Sequence, residues 1–537
     1  MQFIQPATYI PKGFSIIRGF GTSSVFSSMR TITLVLVFCF TTFLPKAQTG
    51  TVSAVRSFVQ QHRDTILSEF ETFLSIPSIA KDTANLLRTA DYLLHVMRGR
   101  GIDHVQLLEA DTKNVPPVIY GDIKTPGATQ TLIFYAHYDG QPVNPAQWAK
   151  GLDPFQPTLF SNALYKNGTP IDQKQLKIIQ DEWRLYARGA SDDKAGVMAI
   201  INAYAALVQS GQQPTCNIKF FFEGEEERGS PHLGEIIEKY KPLLQSDGWI
   251  ICDGPVHQSG NKQLVFGVRG DAHLDLTVYG PKRPLHSGHY GNWIPNPALL
   301  LAQLLASMKD ENGRVTVTGF YDDAIPLSTA EKKALAEAPD VEKQLKEELG
   351  IHKTDMPGLS LGEAISLPSL NINGMASGNV GPLASNQIPT NATAVLDLRL
   401  VPGNDWRKQQ QKVIDHIKAQ GYYVIDHEPT DEERLQHDRV IKIIVDDDGY
   451  NAQRTPMDWP LAQRIIKAVK KTTTTPVVLQ PSSGGSLPLY LIEELLNAKP
   501  VTVPIANYDN NQHAENENIR LGNFFEGIVT LASIMQM

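Results

Sequence analysis

Histidine and carboxylate side chains recur where apolar runs of this chain end. The run TLIFYAHYDG (131–140) closes on His137 and Asp139, and GWIICDGP (248–255) closes on Asp253. In IKFFFEGEEERGS (218–230) a strand-like aromatic stretch meets Glu223, Glu225, Glu226 and Glu227. YARGASDDKAGVMA (186–199) sets Asp192 and Asp193 in a turn ahead of a helical pattern, and NQHAENENIRLGNF (511–524) offers His513 near a helix start. Like charges this close repel, and a buried carboxylate without a partner is costly. Bound cations would relieve both. Nitrogen and oxygen donors with few usable thiols fit zinc, with manganese and cobalt as alternatives. Two histidines with three or four carboxylates exceed the needs of one tetrahedral ion and suit two ions sharing a bridging carboxylate. Such a pair activates water and polarises a carbonyl, and a further carboxylate must then take the water's proton.

Taken singly, each feature has a plainer reading. A His-x-Asp pair at a strand end is often a core hydrogen bond, and Asp-Asp before a helix is commonly an N-cap. A run of glutamates often opens a solvated helix. The combination carries the metal reading, because separate strands deliver the same ligand types to one sheet edge, where open α/β sheets bind ligands.

The elements that must position these groups alternate. Residues 52–78 carry Val55, Phe58, Val59, Ile66, Phe70 and Phe73 at helical period, and a second helix is expected around Leu86 to Met97. Buried strands are read in 131–140, 218–227, 248–255 and 500–506, with helices in 194–211 and 233–244. That alternation predicts an α/β fold with a mostly parallel sheet covered by helices on both faces. The middle differs. DAHLDLTVYGP (271–281) and NATAVLDLRLVPG (391–403) alternate apolar and polar residues, and helical patterns follow at 296–310 and 405–421. Strand, helix, strand, strand, helix, strand describes a small inserted α+β sandwich with one face covered. The expected division is a signal peptide and upstream segment at 1–49, catalytic parts at 50–267 and 457–537, and the insertion at 268–456.

With 537 residues the chain is too long for one ordinary core. Hydrophobic residues make up 42% and charged residues 20%, as in globular proteins, and a net charge of −8 without a Lys/Arg block argues against a nucleic-acid partner. The stretch MRTITLVLVFCFTTFLPKAQTG from Met29 reads as a secretory signal peptide cleaved near Ala47, which predicts a secreted or periplasmic protein with no stable membrane insertion. Of the three cysteines, Cys39 lies inside that signal, and Cys216 and Cys252 are expected to be buried thiols.

The ordered set YAHYDGQPV, ARGASDDKAG, FEGEEERGS, VRG and LHSGHYGN, with the late His513, resembles the co-catalytic zinc peptidases that include carnosinase, glutamate carboxypeptidase, bacterial dipeptidases and aminoacylase. The resemblance is strongest to the carnosinase-like dipeptidases and covers nearly the whole chain after the signal. It implies a two-zinc dipeptidase or carboxypeptidase with a ferredoxin-like inserted lid and dimerisation domain, acting as a homodimer on small peptides. It also implies roles. His137 and Asp253 would hold one ion, Glu227 and His513 the other, with Asp192 as the bridge and a cis peptide between Asp192 and Asp193. Glu226 would be the general base and Asp139 would orient His137, so that neither Asp139 nor Asp193 counts as a ligand. His286, favoured over the nearby His289, would stabilise the tetrahedral intermediate from the partner subunit. Arg399, Asn386 and the SSGGSLP segment (482–488), with Gly485 and Ser486, would bind substrate. The chain departs from the pattern in carrying Glu225 and in a longer stretch between Pro142 and Trp183. An N-acyl-amino-acid amidohydrolase is the alternative enzyme reading, and a zinc-binding protein without activity is the alternative outside enzymes.

Overall fold

The computed structural model describes residues 50–172, 178–485 and 488–537. The signal-peptide segment and Ser486 therefore lie outside the described residues. The larger sheet has eight strands in the order Asp103–Leu108, Val118–Ile123, Asn217–Glu223, Thr131–His137, Gly248–Ile251, Pro500–Thr502, Gln263–Val265 and Val478–Gln480. The four strands from Asn217–Glu223 to Pro500–Thr502 run parallel. The expectation of a mostly parallel sheet needs correcting to a mixed one. Asp103–Leu108 and Val118–Ile123 pair antiparallel, Val118–Ile123 is antiparallel to Asn217–Glu223, and Pro500–Thr502 meets Gln263–Val265 antiparallel. The first of these follows from chain length, because the short link 109–117 cannot carry the crossover that a parallel pair requires.

Period-two alternation in the central strands fills both faces. Phe134, Phe220, Phe222 and Ile250 join a core with the helices Lys194–Gln209 and Leu521–Met535. Tyr135, Phe221, Trp249 and Ile251 face the other way, against Leu233–Lys239 and Tyr490–Leu496. Phe220, Phe221 and Phe222 are all fully buried, each worth roughly 1.5–3 kcal/mol. Helix Lys194–Gln209 is apolar nearly all round, and every residue from Lys194 to Leu207 is buried. The N-terminal helical stretch is broken in two, Thr51–Gln61 and Arg63–Leu74, with His62 between them and its Nδ1 2.8 Å from the Phe58 carbonyl oxygen. Cys216 and Cys252 are free and buried, as expected.

The second sheet is built from Ser369–Ala376, Asn391–Leu400, Gly270–Tyr279, Val440–Val445 and Tyr423–Ile425, in that order. Its pairings are antiparallel except the last. Leu274, Leu276, Val278, Ala394, Leu396 and Leu398 point to a core shared with helices Pro297–Ala306 and Trp406–Ala419. Asp271, His273, Asp397 and Arg399 alternate onto the opposite face. The sheet carries one strand more than the six-element reading of the sequence. Short helices at Thr329–Glu337, Glu342–Leu349 and Leu361–Ile365 fill a stretch for which the sequence reading named no element. Among the described residues no helix is long and apolar enough to cross a membrane.

Candidate metal centre

The parallel strands end side by side. His137 closes its strand opposite Glu223, the last residue of the neighbouring strand, and Asp253 follows the end of Gly248–Ile251. Two metal-capable groups result, His137 with Asp193 and Asp253, and Asp192 with Glu227 and His513, the donor atoms of each lying within 4.8 Å of one another. Asp192 joins them. Its Oδ1 is 3.0 Å from His137 Nε2 and its Oδ2 is 3.0 Å from His513 Nε2. Glu227 Oε2 lies 3.2 Å from the same His513 nitrogen. The peptide between Asp192 and Asp193 is cis.

Asp193 does not act as the simple helix cap that Asp-Asp before a helix invites. It precedes helix Lys194–Gln209, yet its side chain makes no capping bond. Its Oδ2 instead accepts the backbone N–H of His137 at 3.2 Å. Gly196 makes room for it, since a Cβ there would come within 2.4 Å of Asp193 Oδ1.

Asp139 is fully buried behind His137, with Oδ1 3.3 Å from the imidazole Nδ1. The same carboxylate accepts the N–H of Glu226 at 3.2 Å and of Glu227 at 3.1 Å. The turn that carries those glutamates needs Gly224, because a Cβ there would lie 2.3 Å from the Tyr138 ring. Glu226 Oε2 stands 3.6 Å from His137 Nε2.

The acidic cluster divides its labour. Glu223 is buried and accepts the Tyr135 hydroxyl at 2.7 Å; burial raises its carboxyl to about 7 against that hydrogen bond. Glu225 is buried and held by His232 Nδ1 at 2.8 Å and Arg228 Nη1 at 3.3 Å, so it braces the turn. Gln141, which the sequence reading did not single out, donates to Glu227 Oε2 at 2.6 Å.

The electrostatics fit divalent cations. Burial raises the Asp193 carboxyl well above its ordinary range, and raises Asp253 to about 7 with the Asp192 charge adding to it. Burial also raises Glu226, opposed by His137 and reinforced by Asp253 and Glu227. Burial would lift Asp192 too, but hydrogen bonds from His137 and His513 outweigh it and hold it low. Asp192 Oδ2 and His137 Nδ1 are both buried, the first facing His513 Nε2 at 3.0 Å and the second Asp139 Oδ1 at 3.3 Å. Carboxylates that must otherwise take up protons, converging with the His137 and His513 imidazoles, are the donor set a metal pair would use.

The remaining sequence candidates do not join either group. His286 is exposed, accepts the Gly288 N–H at 3.1 Å and lies 4.7 Å ring to ring from His289. Asn386 is exposed on the adjoining segment, its carbonyl accepting the Ser287 N–H at 2.9 Å. Gly485 is exposed. Arg399 lies on the second sheet, its Nε 3.0 Å from Asp397 Oδ1 and 3.6 Å from Asp271 Oδ1. Asp271, His273 and Asp397 form a third metal-capable group that the sequence reading missed, and the Arg399 guanidinium sits against two of its carboxylates.

Residues 133–537 match the model of peptidase family M20/M25/M40, and the chain belongs to this family. It is 26% identical over 497 residues to the human Beta-Ala-His dipeptidase, covering 89% of each chain. It is 25% identical over 490 residues to the Cys-Gly metallodipeptidase DUG1 of Saccharomyces cerevisiae, covering 86% of this chain and 93% of the relative. Its structure is similar to that of the M20 family metallo-carboxypeptidase Sso-CP2 from Sulfolobus solfataricus, with a TM-score of 0.68 and 28% identity over 88% of this chain and 98% of the other. Family and site together make this chain a metal-dependent peptidase whose His/Asp/Glu centre is consistent with a pair of zinc ions.

Proposed function

We propose that this member of peptidase family M20/M25/M40 is a two-zinc dipeptidase or carboxypeptidase that cleaves the amide bond next to a free C-terminal carboxylate. The observation that carries the reading is the placement of Asp192 between His137 and His513, one oxygen 3.0 Å from each. In this reading His137 and Asp253 would hold one ion and Glu227 and His513 the other, with Asp192 available to both. When bound, the ions polarise the scissile carbonyl and lower the pKa of water. Glu226 takes the proton of the attacking water and passes it to the leaving amine. Asp139 keeps His137 and the Glu226 turn in register, and Asp193, engaged with the His137 backbone, stays outside the ligand set. The names of the relatives, a Beta-Ala-His dipeptidase and a Cys-Gly metallodipeptidase, support a dipeptide substrate.

Residues 268–456 would form a lid and dimerisation domain, and 50–267 with 457–537 the catalytic part. The strand order Ser369–Ala376, Asn391–Leu400, Gly270–Tyr279, Val440–Val445 supports a ferredoxin-like reading, with Tyr423–Ile425 as an added edge. Arg399 would take the substrate carboxylate, Asn386, Gly485 and Ser486 would line the substrate site, and His286 would reach the partner's site in a homodimer. The stretch from Met29, read as a signal peptide, would direct the protein to the periplasm or beyond. An N-acyl-amino-acid amidohydrolase uses the same centre with another acyl pocket.

The test is a panel of dipeptides against N-acetyl amino acids, run beside metal analysis of the purified protein. Two zinc per chain with chelator-sensitive dipeptide cleavage supports the proposal. Preference for N-acetyl amino acids moves it to the alternative, and bound metal without amidase activity on any member overturns both.

A further inference from the structure

We infer that Glu517 is a positioning residue that sets Asp192 and His513 in place for the ion they share. The inference rests on the two-metal reading above. Glu517 is fully buried, and its carboxylate accepts five hydrogen bonds. Oε1 accepts from Ser191 N at 2.9 Å, Ser191 Oγ at 2.9 Å and Asp192 N at 3.0 Å. Oε2 accepts from Arg188 Nη1 at 2.7 Å and Gly189 N at 2.9 Å. Arg188 turns its other amino group to the carbonyl of Ala514, the residue after His513, at 3.1 Å.

One carboxylate thus grips the turn that presents Asp192, and its arginine partner grips the loop that presents His513. The backbone adds a third tie, from Ala187 N–H to the Glu517 carbonyl at 3.2 Å. The loop needs the bracing. Asn511, His513 and Asn516 have φ of 57°, 62° and 60°, left-handed conformations uncommon for non-glycine residues though tolerated best by Asn and His. Ser191 and Asp192 belong to a segment more than three hundred residues away in sequence, so the two halves of the ion's coordination are brought to register by a long-range contact.

The partners explain why the residue is an acid. All five groups facing it are donors, and an ionised carboxylate is the side chain that offers acceptors at both ends. In Glu517→Gln the amide NH2 would face N–H groups on one side or the other. Both carboxylate oxygens are committed to these donors, so Glu517 is not itself a ligand.

The test is a zinc titration of the metal-free protein, with dipeptide kinetics measured alongside. Glu517→Gln is expected to fold, and because Asp192 faces both sites the zinc at His137 and Asp253 should weaken only slightly. The second zinc should bind ~10–100-fold more weakly, kcat at limiting zinc should fall by a similar factor, and excess zinc should restore much of it. Arg188→Lys, which keeps the charge but loses the fork onto Ala514, should give the same uneven loss, greater at the His513 ion, in milder form, and it carries the test if Glu517→Gln does not fold. Two zinc bound at wild-type affinity in the variants would overturn the inference. So would an equal loss of both ions together with a fall in melting temperature that excess zinc does not repair, which marks a merely structural acid. A wild-type chain that fails to bind two zinc would instead defeat the two-metal reading itself.

Discussion

Asp139 Oδ1 lies 3.3 Å from His137 Nδ1, while the ring's Nε2 faces Asp192 at 3.0 Å. The two residues stand two apart at a strand end, yet the acid also accepts the N–H groups of Glu226 and Glu227. A single buried carboxylate therefore ties the His137 imidazole to the turn that carries Glu226 and Glu227, the proposed ligand to the proposed base. Asp139→Asn is expected to cost about 10–100-fold in metal affinity or turnover while the circular dichroism spectrum stays unchanged. Wild-type kinetics and zinc affinity in this variant would remove its orienting role.

Glu226→Gln keeps the shape of the side chain and removes its basicity. It is expected to retain both metals and to lose ~10²–10⁴-fold in kcat. Metal analysis and steady-state kinetics on one preparation check this, and near-wild-type turnover would reassign the base.

Metal uptake should release protons. Hydrogen bonds to Asp192 and Glu227 raise His513 to about 10 in the metal-free chain, so it is protonated at neutral pH. An imidazole must be neutral to ligate, and zinc affinity should therefore rise with pH up to about 10. The sign for the metal-free fold is opposite. The stabilisation from protonated His513 is complete below its unfolded pKa of roughly 6.5 and is lost as pH rises through about 10. Calorimetry of zinc binding in buffers of different ionisation enthalpy measures the released protons, and a buffer-independent enthalpy would contradict the assignment.

Asp509 anchors the start of the His513 loop. Arg184 donates to its two oxygens at 2.8 and 2.9 Å, and Tyr165 donates at 2.6 Å. Burial would raise its carboxyl, but these hydrogen bonds and the guanidinium charge hold it at about 2. The folded pKa is depressed, so the stabilisation is present above pH ~4 and is lost as pH falls towards about 2. Asp509→Asn should cost ~1–2 kcal/mol at neutral pH, with solvent screening allowed for, and the gap from wild type should close in acid. Urea melts at several pH values check both statements.

Arg399 is held by Asp397 and Asp271, and under the proposed function it would take the substrate's carboxylate. Arg399→Lys should raise KM for free dipeptides by about tenfold and leave already poor C-terminal amides unchanged. An equal effect on both substrates would make Arg399 an inter-strand ion pair with no part in recognition.

The metal-capable residue types and their order were legible in the chain because His137, the glutamates and Asp253 sit where apolar runs stop, and a run's period reports its element, while Asp192 and His513 stand near helix starts. Phe220, Phe221 and Phe222 read as strand from residue type alone, and they divide between the two faces of the sheet as a period of two requires. Strand direction at the flanks was not legible. Hydropathy is the same for a strand read either way, and only the link 109–117 and the neighbouring strands decide it. Glu225 looked like one acid among four until His232 and Arg228 closed on it.

The sequence by itself determined which chemistry the chain carries: histidines, carboxylates, their order, and a motif set that marks the family. Tertiary structure decided which atoms meet. Asp192 Oδ1 belongs to His137 and Oδ2 to His513, and Glu517 reaches back to the Asp192 turn. No local pattern encodes those pairings. They depend on where strands far apart in sequence end side by side, and that is fixed by packing the whole sheet between its helices.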